Sequence, residues 1–284
     1  MTEIVSIDHI RNQLELAKDG HRHGQRGLFA LADLPQRAPV GDSAVSPGWD
    51  SLADLWKLYP GQFTIVTGSP GHGKSTLILN VVCNVAKQQG WGSYLYVPEN
   101  EAFLKYKLRR IYGHAGFSDF AAHQCFVQSA EVQTYNQEPK DLTWVLERAI
   151  VGVRNDGVKL LVIDPWNELE HAKPRDLSMT DYIMQVLMWL KQFARVYQVS
   201  VILVAHPTKA HASESRKPTL YDIEGSAAWF NKCDNGLIVS RDPDSDAMTV
   251  YSAKVRERGA GKRGECVLLV NEFEQVTGLS GIVA

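Results

Sequence analysis

From about residue 46 onward, short continuously apolar runs alternate with longer stretches whose apolar residues recur every three or four positions. The continuous runs predict strands over residues 63–67, 93–97, 125–128, 160–163, 199–204, 236–240, 248–254 and 266–271. Ahead of the fifth strand, Ile183, Leu187, Leu190, Ala194 and Tyr197 fall on one stripe of a helix, which predicts one buried face. A strand that is apolar at every position must be covered on both sides, and helices between such strands supply the covers. The pattern therefore predicts an α/β fold with a mostly parallel sheet flanked by helices. No helical pattern separates the last three strands, which predicts a C-terminal antiparallel extension. In open sheets of this kind the reactive groups gather at the carboxyl ends of the strands.

The N-terminal residues follow a different pattern. Ile7, Ile10, Leu14 and Leu16 approximate helical spacing, residues 19–27 are rich in Gly, His and Arg, and Pro35 and Pro39 punctuate an aperiodic stretch over 28–45. The expected organisation is a helix and linker over 1–45 and one large domain over 46–284. A chain of 284 residues can bury a good core in such a domain. Lys and Arg number 30 against 32 Asp and Glu, a net charge of −2, so a site for a polyanion must be local rather than a property of the whole surface. Cys83, Cys125, Cys233 and Cys266 are far apart and form no CxxC pair, which argues against a zinc site or a disulfide framework and for a reducing cytosol. No signal-like segment opens the sequence and no uncharged apolar run reaches about 18 residues, so no membrane partner is expected.

One segment carries recognisable chemistry. Gly68-Ser69-Pro70-Gly71-His72-Gly73-Lys74-Ser75 fits G-x-x-x-x-G-K-[ST], the P-loop or Walker A pattern, between the apolar run ending at Val66 and an amphipathic stretch beginning at Thr76. A strand delivers the chain, glycines let the backbone curl round phosphate, and a helix N-terminus points free N–H groups at the anion. Lys74 would reach the β- and γ-phosphates, Ser75 would hold Mg²⁺, and Thr76 would begin the helix packing. A chance Gly-rich turn has no reason to end in Gly-Lys-Ser-Thr. ATP or another nucleoside triphosphate, with Mg²⁺, is the expected ligand.

Other candidates stand at the ends of predicted strands. Asp164 closes the run Leu160-Leu161-Val162-Ile163, the Walker B arrangement, and would hold Mg²⁺ opposite Ser75. Glu99 closes Tyr94-Leu95-Tyr96-Val97-Pro98 and can act as the general base for water, or simply begin a helix together with Asn100 and Glu101. His206 ends Val204-Ala205 and is either a structural histidine or a contact to the γ-phosphate. Lys254 and Arg256 lie two apart before a basic Gly-containing turn, as a solvated hairpin or as two cations aimed at one anion.

In their order, these motifs resemble those of the RecA-like motor domain of ring-shaped replicative helicases of the DnaB superfamily, on the Twinkle-like and phage primase-helicase branch. The resemblance covers about residues 46–280. It includes Gly48-Trp49-Asp50-Ser51-Leu52 with Pro60-Gly61-Gln62 as the entry to the P-loop, Glu99 as catalytic glutamate, Asp164-Pro165-Trp166-Asn167 as the Walker B end and His206 as phosphate sensor. Asp222-Ile223-Glu224-Gly225-Ser226 through Asp234-Asn235 is similar to the family's fourth motif, and Lys254 and Arg256 to its lysine and arginine fingers, which act across a subunit interface. The resemblance implies a hexameric homo-oligomeric ring on single-stranded DNA in the cytoplasm of a bacterial or phage-infected cell, with a primase or polymerase as a further partner. It implies DNA-binding loops carrying Lys173 and Arg175, and Lys209, Arg216 and Lys217, each of which could equally be a polar connector. The chain departs from the family in having room for neither a primase nor a full N-terminal collar. A RecA- or RadA-like recombination or repair ATPase and a nucleotide-gated DNA-binding module are the alternatives.

Overall fold

The computed structural model describes residues 40–129, 140–171, 173–208, 219–223, 227–241 and 245–278. The helix expected over 7–16 and most of the linker lie outside these residues. A first short helix, α1 (Val40–Ser43), and a second, α2 (Asp50–Ala53), precede the sheet. The segment 48–52 packs as a brace: Trp49 is buried and its indole N–H donates to the Val276 carbonyl at 2.9 Å.

The strands are β1 (Phe63–Thr67), β2 (Gly92–Val97), β3 (Cys125–Ser129), β4 (Val158–Ile163), β5 (Ser200–Val204), β6 (Asn235–Arg241), β7 (Ala247–Val255), β8 (Gly264–Val270) and β9 (Val276–Gly278). They form one nine-stranded sheet in the order β3-β2-β4-β5-β1-β6-β7-β8-β9. Helices α3 (Lys74–Gln89), α4 (Glu101–Tyr112), α5 (Phe117–His123), α6 (Leu142–Asn155), α7 (Met179–Tyr197) and α8 (Ala228–Lys232) complete the fold. The eight strands read from the sequence are all present, within two residues at their ends. Two details differ. The sixth strand is parallel to β1 and antiparallel only to β7, so the antiparallel extension is β7-β8-β9 rather than the three strands beginning at residue 236. Its last member was too short, at three residues, to show as a run.

The continuous apolar pattern has a direct structural cause. Ile65, Leu161, Ile163, Val201 and Leu203 enter a core on one face of the sheet with α6 and α7, while Val66, Leu160, Val162, Ile202 and Val204 enter a second core on the other face with α3 and α4. Truncating any one of them to alanine removes about 2–5 kcal/mol of packing, so both layers hold the central strands rigid. In α7 the expected stripe is buried at Ile183, Leu187, Leu190 and Ala194, and Tyr197 is half-buried. Ser178 caps that helix, accepting from the Asp181 N–H, and Asn100 caps α4, accepting from the Ala102 N–H. The second cap sets the chain direction immediately after Glu99.

Candidate active site

The four central strands β2, β4, β5 and β1 run parallel and deliver Glu99, Asp164, His206 and the P-loop to one edge. The strand that follows the P-loop helix in sequence, β2, is thus separated from β1 in space by two strands, β4 and β5, and the Walker B strand β4 lies beside β2. Backbone bonds lock these ends together: Asp164 N–H donates to the Tyr96 carbonyl at 2.9 Å and Ala205 N–H to the Val66 carbonyl at 3.0 Å. The Thr67 hydroxyl donates to the Ala205 carbonyl at 2.8 Å, tying the P-loop strand to the residue before His206.

The P-loop curls as its glycines allow. Gly68, Gly71 and Gly73 have φ of 147°, 80° and 85°. A β-carbon on Gly68 would stand 2.1 Å from the Val239 carbonyl oxygen, so only glycine fits against β6 at that point. The helix begins at Lys74, two residues ahead of Thr76, with Gly73 at its N-cap. The Lys74 ammonium donates to the carbonyls of Gly68 at 2.8 Å and Ser69 at 2.9 Å. Burial lowers its pKa to about 8 against the opposing pull of Asp164. His72 accepts from the Arg241 N–H at 3.3 Å and pins the outer turn of the loop.

Asp164 is 6 % exposed, and burial raises its pKa to about 6, with the Glu99 charge adding to the rise. A hydrogen bond with the Ser75 side chain and the charges of Lys74 and Lys107 pull it back. Glu99 meets Lys107, two turns along α4, at 3.5 Å. That contact was not read from the sequence, although a basic residue two helical turns beyond a capped acidic start was available as a signal. The residues fit a Mg²⁺-nucleotide: a left-handed glycine turn, a lysine held beside the turn's carbonyls, and a hydroxyl hydrogen-bonded to a buried carboxylate whose desolvation a divalent cation would relieve.

His206 has a buried Nδ1 with no hydrogen-bond partner among the described residues. Burial lowers its pKa below the ordinary 6.5, and the charge of Lys74 adds to this. It therefore enters the site as a neutral ring. The folded state binds this proton less readily than the unfolded chain does, so the contribution is complete above pH 6.5 and lost as acidity increases below it. His206→Gln is expected to flatten that acid-side loss in thermal unfolding followed against pH. Immediately beyond His206, Thr208 N–H donates to the Asp222 carbonyl at 2.8 Å and Pro207 bridges Ile223. Residues 207 and 208 are thereby fastened to residues 222 and 223 next to the histidine. Lys209, Arg216 and Lys217, and Glu224 to Ser226 of the fourth motif, lie outside the described residues. In the other candidate loop Lys173 donates to the carbonyls of Pro174 and Leu177, whereas Arg175 is exposed.

Lys254 and Arg256 stand at the opposite edge of the sheet. Arg256 N–H donates to the Asp234 carbonyl, just before β6, whereas the P-loop meets β6 at its far end, where Arg241 contacts His72. The intervening strand runs from Asn235 to Arg241, roughly 20 Å at about 3.3 Å per residue. No arginine side chain spans that distance to its own P-loop. Both cations face the end of α8: Lys254 donates to the Phe230 carbonyl, and Arg256 to the carbonyls of Asn231 at 3.3 Å and Cys233 at 3.4 Å. The buried Asp234 carboxylate receives Arg256 at 3.0 Å, Lys191 at 2.6 Å and the Phe63 N–H at 3.1 Å. Asp234 thus anchors Arg256, while its neighbour Asn235 donates to Gln62 at 2.8 Å and ties the start of β6 to the residue before β1. Trp166, read with the Walker B end, turns into the core and packs edge-on against Trp229.

Residues 36–212 match the AAA domain family. The chain is 32% identical over 281 residues to the Twinkle homolog protein, chloroplastic/mitochondrial, of Arabidopsis thaliana, covering 89% of this chain and 39% of that protein. It is 23% identical over 226 residues to the DNA repair protein RadA of Salmonella typhimurium, covering 79% of this chain and 42% of that one. The chain thus spans about two fifths of the length of these relatives. Its fold is similar to that of a DnaB-like replicative helicase described with its interactions with primase, at a TM-score of 0.67 and 16% identity, covering 95% of this chain and 74% of the other.

Proposed function

Given that this chain belongs to the AAA domain family and is a P-loop NTPase of the DnaB- and Twinkle-like kind, we propose that it is the motor of a ring-forming DNA helicase. In this reading ATP hydrolysed between neighbouring copies drives translocation on single-stranded DNA and separation of strands. The observation that carries it is the placement of the P-loop and the Lys254 and Arg256 pair at opposite edges of one sheet.

Bound Mg²⁺ would screen and polarise the phosphate oxygens, held by Ser75 and Asp164. Lys74 leaves the Gly68 and Ser69 carbonyls and follows the β- and γ-phosphates. Glu99 orients the attacking water and takes up its proton at the carboxylate. His206, neutral and beside the γ-phosphate, passes a change there to Pro207 and Thr208, which are tied to Ile223 and Asp222. Lys254 and Arg256 of a neighbouring copy meet the charge that develops on the transferred phosphoryl group, and the preference for single strands comes from loops of several copies acting together.

Electron microscopy with an ATP analogue and oligothymidylate, together with steady-state phosphate release, tests this. Closed rings and release stimulated by the single strand are expected. Open filaments would favour the recombination or repair reading. Release at zero with and without DNA would leave a nucleotide-gated module.

A further inference from the structure

Lys191 interrupts a hydrophobic stripe. It stands four residues after Leu187 and three before Ala194 on α7, where Leu187, Leu190 and Ala194 are fully buried in the core. A cation at such a position has to be paired. Its ammonium donates to the Lys232 carbonyl at 2.9 Å, at the end of α8, and to Oδ1 of Asp234 at 2.6 Å. Arg256 reaches that same oxygen through Nε at 3.0 Å, while Oδ2 accepts the Phe63 N–H at 3.1 Å.

One carboxylate oxygen thus serves two cations, and the two are held unequally. The Lys191 side chain is 13% exposed and makes the shorter contact. That of Arg256 is 42% exposed, and its other bonds, to the carbonyls of Asn231 and Cys233, are 3.3 and 3.4 Å long. An exposed pair is given up at little cost, whereas a buried carboxylate stripped of its cation is strongly destabilised. Arg256 can therefore depart for a phosphoryl group only if Asp234 stays compensated after it has gone. We propose that Lys191 is a positioning residue for the arginine finger: it holds the charge of Asp234, so that Arg256 of the same copy is released to the nucleotide of the neighbouring copy. The proposal rests on the reading of Lys254 and Arg256 as cations supplied across a seam. Without Lys191, Arg256 becomes the one cation in contact with that carboxylate among the described residues, and the carboxylate retains it. The competing role for Lys191 is local, because the same carboxylate also fastens Phe63 at the start of the P-loop strand.

The test uses the full chain carrying Lys191→Met or Lys191→Gln, the second of which keeps a donor without the charge. Each is expected to lower oligothymidylate-stimulated phosphate release about ten- to a hundredfold, roughly the worth of a hydrogen bond to a charged group, with fluorescent-nucleotide affinity kept. Each is then mixed with Glu99→Gln chains or with Arg256→Ala chains before nucleotide and oligothymidylate are added. Recovery with Glu99→Gln and none with Arg256→Ala is expected, because the defect then lies on the finger side of the seam. The reverse pattern would assign Lys191 to the cradle of its own copy, through Asp234 and the Phe63 N–H, and would overturn the proposal. So would undiminished release, or the same response to both partners. Failure of Arg256→Ala and Glu99→Gln chains to complement each other would instead remove the reading of a shared seam, and this role with it.

Discussion

Arg256→Ala is expected to lower single-strand-stimulated ATP turnover by about 10³- to 10⁵-fold while nucleotide still binds. The size follows from removing a fixed positive charge from the point where the transferred phosphoryl group becomes most anionic. Binding persists because the cradle of Gly68, Lys74 and Ser75 belongs to the other edge of the sheet. The variant should also fold. Arg256 is about two-fifths exposed in its pair with Asp234, so that ion pair adds little stability, and Asp234 keeps Lys191 and the Phe63 N–H as partners. Phosphate release and fluorescent-nucleotide binding measured on the same preparation check both halves of the expectation. Equal loss of binding and turnover would place the arginine in the structure of the fold, and undiminished turnover would remove it from the reaction.

Glu99→Gln should reduce turnover by about 10²- to 10⁴-fold with nucleotide affinity kept, since the amide preserves shape and cannot accept the water proton. The change also removes a negative neighbour of Asp164, the group whose charge helps raise that carboxylate's pKa to about 6, so Mg²⁺-dependent binding is not expected to weaken. The informative experiment mixes the two variants. A seam formed by an Arg256→Ala copy supplying the cradle and a Glu99→Gln copy supplying the cations has both groups intact. Mixtures should recover part of the rate that each variant lacks alone, whereas a site contained within one copy would give no recovery.

How much of this was legible in the residues depends on distance along the chain. The strands could be read because both faces of β1, β4 and β5 are buried, which leaves uninterrupted runs such as Leu160-Leu161-Val162-Ile163. The P-loop could be read because its chemistry is local. The spatial order of the strands could not, since nothing in the run from Tyr94 to Val97 states that β4 lies between it and β5. The same limit hid the partners of Arg256: its anchor Asp234 lies on the preceding strand's approach, and Lys191 on a helix far upstream. Lys107 was within reach of pattern, but the cap at Asn100 that points α4 back past Glu99 had to be seen first.

The segregation of cradle and cations to the two ends of the same strands gives each copy a front and a back. Units that join front to back repeat with a single sense, so an assembly built in the proposed way would have an arrow built into it. A strand of nucleic acid is itself directional. Travel along it would inherit its heading from the architecture of the sheet, with no separate device needed to choose which way to go.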